Sequence, residues 1–201
     1  MTRMLLIISV LLSVTACGNR SPDSTPPPAD QPLPPPAAES AMGPAAEPSV
    51  PPAPVGATAE LKATQGNGVS GTLTLAPEAG GVRITGSIKG LTPGTTHGFH
   101  VHENGDCSAP DASSAGGHYN PAGHPHGDPA GTQRHLGDMP NAVADAEGSA
   151  TVDMVLSGAT LRSGQPDDIL GKSIVVHEKA DDYKTQPAGD SGKRIACSII
   201  K

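Results

Sequence analysis

The sequence predicts an all-β domain of about eight short strands, folded as a sandwich or a closed barrel. Three observations indicate this class. Short runs are rich in β-branched residues or alternate apolar with polar residues, as half-buried strands do. Turn signals, mostly rich in glycine, separate these runs. No segment sustains the 3.6-residue apolar period of an amphipathic helix with caps.

The strand-forming runs begin at residue 59 and continue to the end of the chain. Seven runs share this character, and they are residues 59–64, 69–75, 82–88, 97–102, 149–156, 173–178 and 195–200. The regular succession of strands and turns is interrupted between residues 102 and 149, because residues 103–141 form one very long connection. A loop of that length is usually functional or disordered.

The first 56 residues are predicted to lie outside the folded domain. Residues 1–16 carry one early base and an apolar run too short to be a permanent membrane span, which is typical of a secretory signal. The ending "VTAC" at 14–17 resembles a bacterial lipobox, so we expect a lipoprotein signal peptide over 1–16 and a lipid on Cys17. The alternative is an ordinary cleaved signal with a cysteine near the junction by chance.

A proline-rich linker is predicted over 17–56, after the lipidated cysteine. Residues 18–56 hold 13 of the 22 prolines and few large apolar residues. Such a segment cannot bury enough apolar area to offset the entropy of ordering, so we expect a disordered, extended spacer. A proline-motif ligand for a partner is the alternative use.

Residues 57–201 have a normal length for one domain with its own core. They contain 11 basic and 16 acidic residues, a formal charge of −5. No basic cluster or aromatic platform indicates nucleic-acid binding. No basic amphipathic helix indicates membrane contact beyond the lipid.

Two cysteines, Cys107 and Cys197, remain in this domain. In an exported chain they are expected to form one disulfide, closing a loop of 90 positions. The alternative is two buried free thiols.

His100 and His102 stand two apart in the run "HGFHVH" at 97–102. In a strand their side chains share one face, while Phe99 and Val101 point the other way, toward a core. Two imidazoles side by side can chelate a metal ion, and a pair of solvated histidines is the alternative.

The long connection contains the stretch "GGHYNPAGHPHGDPAGTQRHLGD" at 116–138. It offers five candidate ligands, namely His118, His124, His126, His135 and Asp138. A bound metal would order this glycine-rich loop, and three imidazoles with one carboxylate suit structural zinc. The spacing alone does not identify which of the four histidines is not a metal ligand. A solvated histidine-rich tract is the alternative.

A further histidine, His177, lies in the run "VVHE" of another strand. Beside His100 and His102 it becomes a candidate third nitrogen ligand, and an all-nitrogen site suits Cu(II). Taken alone, His177 is better explained as a strand histidine whose ring has a hydrogen-bond partner.

Five motifs resemble the copper–zinc superoxide dismutase family in order and closely in spacing: "HGFHVHE", "GGHYNP", "HLGD", "VVHEKADD" and "RIAC". The resemblance covers essentially all of 57–201. It implies an eight-stranded antiparallel Greek-key β-barrel with long metal-binding and electrostatic loops; this family is itself a standard example of the immunoglobulin-like sandwich architecture.

The same resemblance implies a ligand for each metal position. The implied copper ligands are His100, His102, His118 and His177. The implied zinc ligands are His118, His126, His135 and Asp138, so that His118 bridges the two ions. His124 has no counterpart in the family. Asp181 resembles the carboxylate that joins a copper histidine to a zinc histidine, here His100 and His126.

The activity implied by the resemblance is disproportionation of superoxide to dioxygen and hydrogen peroxide, with copper alternately reduced and reoxidised. His118 is implied to carry a proton in this cycle, and Arg194, in "KRIAC", to attract and orient the anion.

The expected location is the bacterial envelope or periplasm, on an inner or an outer membrane. The chain departs from animal cytosolic forms around Cys107, which leaves monomer and homodimer open. A non-catalytic copper or zinc chaperone or buffer is the alternative function.

Overall fold

The computed structural model describes residues 56–201. The predicted signal peptide, Cys17 and the linker up to residue 55 lie outside the described residues. Nine strands form in the described part: β1 (Ala57–Ala63), β2 (Ser70–Glu78), β3 (Gly81–Lys89), β4 (Thr96–His97), β5 (Phe99–His102), β6 (Ala142–Val143), β7 (Ala150–Ser157), β8 (Ser173–His177) and β9 (Arg194–Ile199). One short 3₁₀ turn, Ser113–Ala115, is the only helical element there.

Seven of these strands form one antiparallel sheet in the order β5-β8-β9-β1-β2-β3-β7, and β4 pairs with β6 separately. The first strand joins the two halves of the large sheet. Residues 57–61 of β1 pair with β2, and residues 62–63 pair with β9. The all-β prediction is confirmed. No helix among residues 56–201 is long and apolar enough to cross a membrane.

The core is aliphatic and surrounds one aromatic ring, that of Phe99. Alternate residues of each strand point inward, as Leu73 and Leu75 of β2 and Ile84 and Ile88 of β3 show. Burying such side chains stabilises the fold by about 1.5–3 kcal/mol each.

The side chains of β5 alternate between the two faces of the sheet, as predicted. Phe99 and Val101 belong to the core cluster, while His100 and His102 are buried on the opposite face of β5. The strand is interrupted at Gly98, whose amide donates to the Lys179 carbonyl at 2.7 Å and whose carbonyl accepts from the His177 amide at 2.8 Å. The site therefore lies on the outer face of the sheet, beneath the long loops.

The predicted disulfide between Cys107 and Cys197 is present, with 5.8 Å between the Cα atoms. It attaches the start of the long loop to β9, where Lys62 of β1 pairs with Cys197. A small second core packs around it, formed by Ala112, Ala115 and Val175. The disulfide thus stabilises a loop that has little apolar surface of its own.

Candidate metal centre

Four buried histidines form a first cluster. Their candidate ligand atoms all lie within 4.8 Å of one another, and the residues are His100, His102, His118 and His177. The strands β5 and β8 place three of them, because β5 pairs directly with β8 and His177 ends β8. His118 comes from the long loop, and its backbone pairs with that of His102 through a single antiparallel β-bridge.

Each strand histidine of this cluster uses one ring nitrogen for a hydrogen bond outside it. These bonds run from His100 Nε2 to Asp181 Oδ2 (2.7 Å), from His102 Nδ1 to the Gly116 carbonyl (2.9 Å) and from His177 Nδ1 to the Gly192 carbonyl (3.3 Å). The other nitrogen of each ring is thereby left to face the cluster, and the Nε2 atoms of His102 and His177 lie 3.3 Å apart. Such partners fix the tautomer and the orientation of a metal-binding imidazole.

A second cluster contains three histidines and one carboxylate, and it consists of His118, His126, His135 and Asp138. All four residues are buried. Their Nδ1 atoms converge on Asp138 Oδ1, at 2.8 Å for His118, 3.0 Å for His126 and 3.3 Å for His135. The second oxygen, Oδ2, accepts the backbone amides of Gly127 (3.1 Å) and His135 (2.9 Å), which fixes the carboxylate.

His118 is the one residue common to both clusters. Its Nδ1 faces the second cluster, and its Nε2 is buried with no hydrogen-bond partner among the described residues. His100 Nδ1 and His135 Nδ1 are likewise buried without one. Buried polar atoms normally have partners. Three unpartnered nitrogens aimed into two clusters therefore fit metal ions, and the donor sets suit copper on four nitrogens and zinc on three nitrogens and one oxygen.

Burial lowers the pKa of most of these imidazoles. The pKa of His102 and that of His177 are well below the ordinary value, and the pKa of His118 falls to about 4. A neutral imidazole keeps the lone pair that binds a metal. Burial would also lower the pKa of His126, but hydrogen bonds to Asp138 and Asp181 raise it to about 9.

The two acids stay ionised despite their burial. Burial by itself raises the pKa of Asp138, but hydrogen bonds from His118 and His126, with the ring of His135 close by, hold it well below its usual range. For Asp181, hydrogen bonds from His100 and His126 outweigh burial and also lower its pKa. The centre therefore holds two buried negative charges, which favours cations.

Asp181 joins the two clusters through one carboxylate. Oδ2 accepts from His100 Nε2 at 2.7 Å, and Oδ1 accepts from His126 Nε2 at 2.9 Å. Gly189 packs against it at a positive φ of 65°, and a Cβ built there would lie 1.7 Å from Oδ1. Only glycine allows this approach.

Arg194 lies at the wall of an open cavity of about 670 Å³ that His102, His118 and His177 also line. It is half-buried, and its two terminal nitrogens donate to the carbonyls of Ala112 (2.6 Å) and Gly116 (2.5 Å). Burial lowers the pKa of Arg194, but a guanidinium remains charged at neutral pH. A fixed positive charge therefore stands at the mouth of the first cluster.

His124 belongs to neither cluster. Its backbone is held in a turn by the side chain of Asn120, which accepts from the His124 amide at 3.0 Å and donates to its carbonyl at 2.8 Å. This turn leaves His124 half-exposed while His126, two residues later, is buried.

Several contributors to the centre carry no signal that sequence reasoning could use. The carbonyls of Gly116 and Gly192 orient two histidines, yet any residue has a carbonyl. The side chain of Asn141 makes a reciprocal pair of hydrogen bonds with the backbone of Asp181, both at 2.9 Å. Only the fold brings these groups together.

A family model described as copper/zinc superoxide dismutase (SODC) matches residues 69–200. Copper–zinc superoxide dismutase 2 of Aquifex aeolicus is 42% identical over 150 residues, covering 72% of this chain and 86% of that protein. The copper–zinc superoxide dismutase of Caulobacter vibrioides is 43% identical over 150 residues, covering 72% and 85%.

Solved structures show the same likeness. A crystal structure of a SOD-like protein from Bacillus subtilis has a TM-score of 0.65 and 37% identity, covering 70% of this chain and 95% of that one. The clock protein EA4 has a TM-score of 0.65 and 38% identity, covering 73% and 94%. These likenesses agree with the predicted β-barrel.

Proposed function

The chain belongs to the copper/zinc superoxide dismutase family, and we propose that it disproportionates superoxide to dioxygen and hydrogen peroxide in the bacterial cell envelope. The observation that carries the proposal is the ring of His118, which offers one nitrogen to each cluster. The two clusters could bind copper and zinc.

The first cluster is the proposed copper site and the second the proposed zinc site. The copper ligands would be His100 Nδ1 and the Nε2 atoms of His102, His118 and His177, since the other nitrogen of each ring is engaged elsewhere. The zinc ligands would be the Nδ1 atoms of His118, His126 and His135 with a carboxylate oxygen of Asp138. Copper bound there supplies one-electron chemistry, since it can accept an electron from one superoxide and return it to a second.

Two residues of the chain have proposed roles in the reaction itself. His118 holds a proton at Nε2 and gives it to the peroxide product, because that nitrogen has no hydrogen-bond partner among the described residues and His118 lines the cavity. Arg194 binds and orients the incoming anion, since its guanidinium is held by two carbonyls beside the same cavity. Asp181 acts on neither substrate nor proton; it holds the rings of His100 and His126 in place.

Replacement of Arg194 with Ala should slow superoxide removal while leaving copper and zinc content unchanged. Superoxide dismutase is itself a standard example of electrostatic steering, where local fields raise association rates by about 10–1,000-fold, and we expect a loss of about 10-fold. The dependence of kcat/KM on ionic strength should also flatten, because salt screens the steering charge. Pulse radiolysis at several salt concentrations measures both.

A matched control for this charge is Arg83, an exposed arginine of β3 that pairs with Glu78 and Asp153. Arg83→Ala should leave kcat/KM and its salt dependence as in the wild type. An unchanged rate in Arg194→Ala would remove the proposed steering role.

A non-catalytic metal chaperone or buffer is the competing function. The complete donor set and Arg194 favour the enzyme. Reconstitution of the full chain with copper and zinc, followed by a superoxide assay, separates the two. Stoichiometric metal without dismutation would support the buffer.

The envelope location is proposed from the N-terminal sequence, with Cys17 carrying a lipid. Cys17→Ser should abolish incorporation of labelled fatty acid, because the thiol that would carry the lipid is gone. A wild-type chain that takes up no label, or a Cys17→Ser chain that still takes it up, would contradict the anchor. The boundaries of the signal (1–16), linker (17–56) and domain (57–201) are part of the same proposal.

A further inference from the structure

Gln186 lies in the loop between β8 and β9 and takes no part in the mechanism above. Its side-chain amide makes a reciprocal pair of hydrogen bonds with the backbone of His126. Oε1 accepts from the His126 amide at 2.9 Å, and Nε2 donates to the His126 carbonyl at 2.9 Å. Nε2 also donates to the Lys184 carbonyl of its own loop at 3.2 Å. The amide thus ties this loop to a residue 60 positions away.

His126 needs such a partner because no described strand includes residues 116–138. Buried backbone groups without a partner cost free energy comparable to a lost hydrogen bond. Pro125 has no amide hydrogen to donate, and the amide of Gly127 is already used by Asp138 Oδ2. Gln186 supplies partners for both backbone groups of His126.

The ring of His126 is held separately from its backbone. Nδ1 lies 3.0 Å from Asp138 Oδ1, and Nε2 donates to Asp181 Oδ1 at 2.9 Å. Asp181 sets the rotation of the ring, while Gln186 fixes the backbone from which the ring extends. Both conditions matter, since a binding site must be held within about 0.5 Å of its productive geometry.

We propose that Gln186 is a positioning residue for the zinc site and acts through His126. This inference rests on the proposed assignment of His126 to zinc. His126 belongs to the second cluster and not to the first, so loosening its backbone displaces one zinc ligand and no copper ligand. Loss of a partner that orients a metal ligand typically weakens metal affinity by about 10–100-fold.

The variant Gln186→Met tests this role, because it removes both hydrogen bonds to His126, together with the one to Lys184, and keeps the length and the neutral charge of the side chain. In chelator competition the metal-free variant should bind Zn²⁺ about 10-fold or more weakly than the wild type. The visible spectrum of Co²⁺ bound in place of zinc should change. Copper affinity, measured with zinc in excess, should stay as in the wild type.

The matched control is Gln133→Met in the long loop, since the exposed side chain of Gln133 makes no hydrogen bond within the described residues. It should bind zinc and cobalt like the wild type. If Gln186→Met fails to fold, Gln186→Asn serves instead, because its shorter amide does not span both groups, and exchange of the His126 amide hydrogen in the metal-free protein should be faster.

Unchanged zinc affinity and an unchanged cobalt spectrum would overturn the positioning role, as would equal weakening of zinc and copper. These readouts use the metal ions alone and no superoxide. A negative result would therefore leave the proposed dismutation untouched, and absent dismutation would leave the role of Gln186 standing.

Discussion

Replacing His118 with Ala should weaken both metal sites and nearly abolish superoxide turnover. His118 is the one residue in both clusters, and its loss removes a nitrogen from each. Outer partners of metal ligands already contribute about 10–100-fold to affinity, so loss of a ligand should weaken copper and zinc binding by at least about 10-fold each. Loss of the proposed proton donor should lower turnover by about 100-fold or more.

Metal analysis, chelator competition and pulse radiolysis measure these effects. The matched control is His124→Ala, because His124 lies in the same loop but belongs to neither cluster. That control should retain both metals and full turnover. If His118→Ala weakened metal binding at only one of the two sites, the His118 ring would not be shared between them.

Opening the disulfide should destabilise the metal-free domain by about 2–5 kcal/mol, because the bond closes a loop of 90 positions in the unfolded chain. The suitable variant is Cys107→Ser with Cys197→Ala, since Cys107 is half-buried and Cys197 is buried beside Ala112 and Val175. Urea denaturation measures the free energy of unfolding.

The same change should also slow turnover. The carbonyls of Ala112 and Gly116, which hold the Arg194 guanidinium, lie in the loop that the disulfide attaches to β9. Wild-type protein with the disulfide reduced is the control and should match the double variant. A double variant as stable as the oxidised wild type would contradict the stabilising role.

Strand placement could be predicted from the sequence because side-chain alternation is a local property. The run at 82–88 lies within β3 (Gly81–Lys89), and Phe99 and Val101 point into the core as their spacing requires. The run at 97–102 predicts one strand, but the structure has two, because His97 pairs with β6 while the residues after Gly98 pair with β8. A short strand such as β6 (Ala142–Val143) has too few residues to show a pattern.

Only those parts of the candidate centre that consist of metal-binding side chains can be predicted from the sequence. The histidine and aspartate residues indicate two metal ions, but these residue types alone do not distinguish His124 from His126. That difference depends on the turn held by Asn120 and on the backbone contacts of Gln186. Such contacts join positions far apart in the chain through backbone groups that every residue has. They become visible only in the fold.

The most direct test of the shared ring is a crystal structure of the protein loaded with copper and zinc, with anomalous diffraction recorded at both absorption edges. We expect copper bonded to His118 Nε2 and zinc bonded to His118 Nδ1, the latter at about 2.0–2.1 Å. Two ions with no imidazole in common would contradict the account.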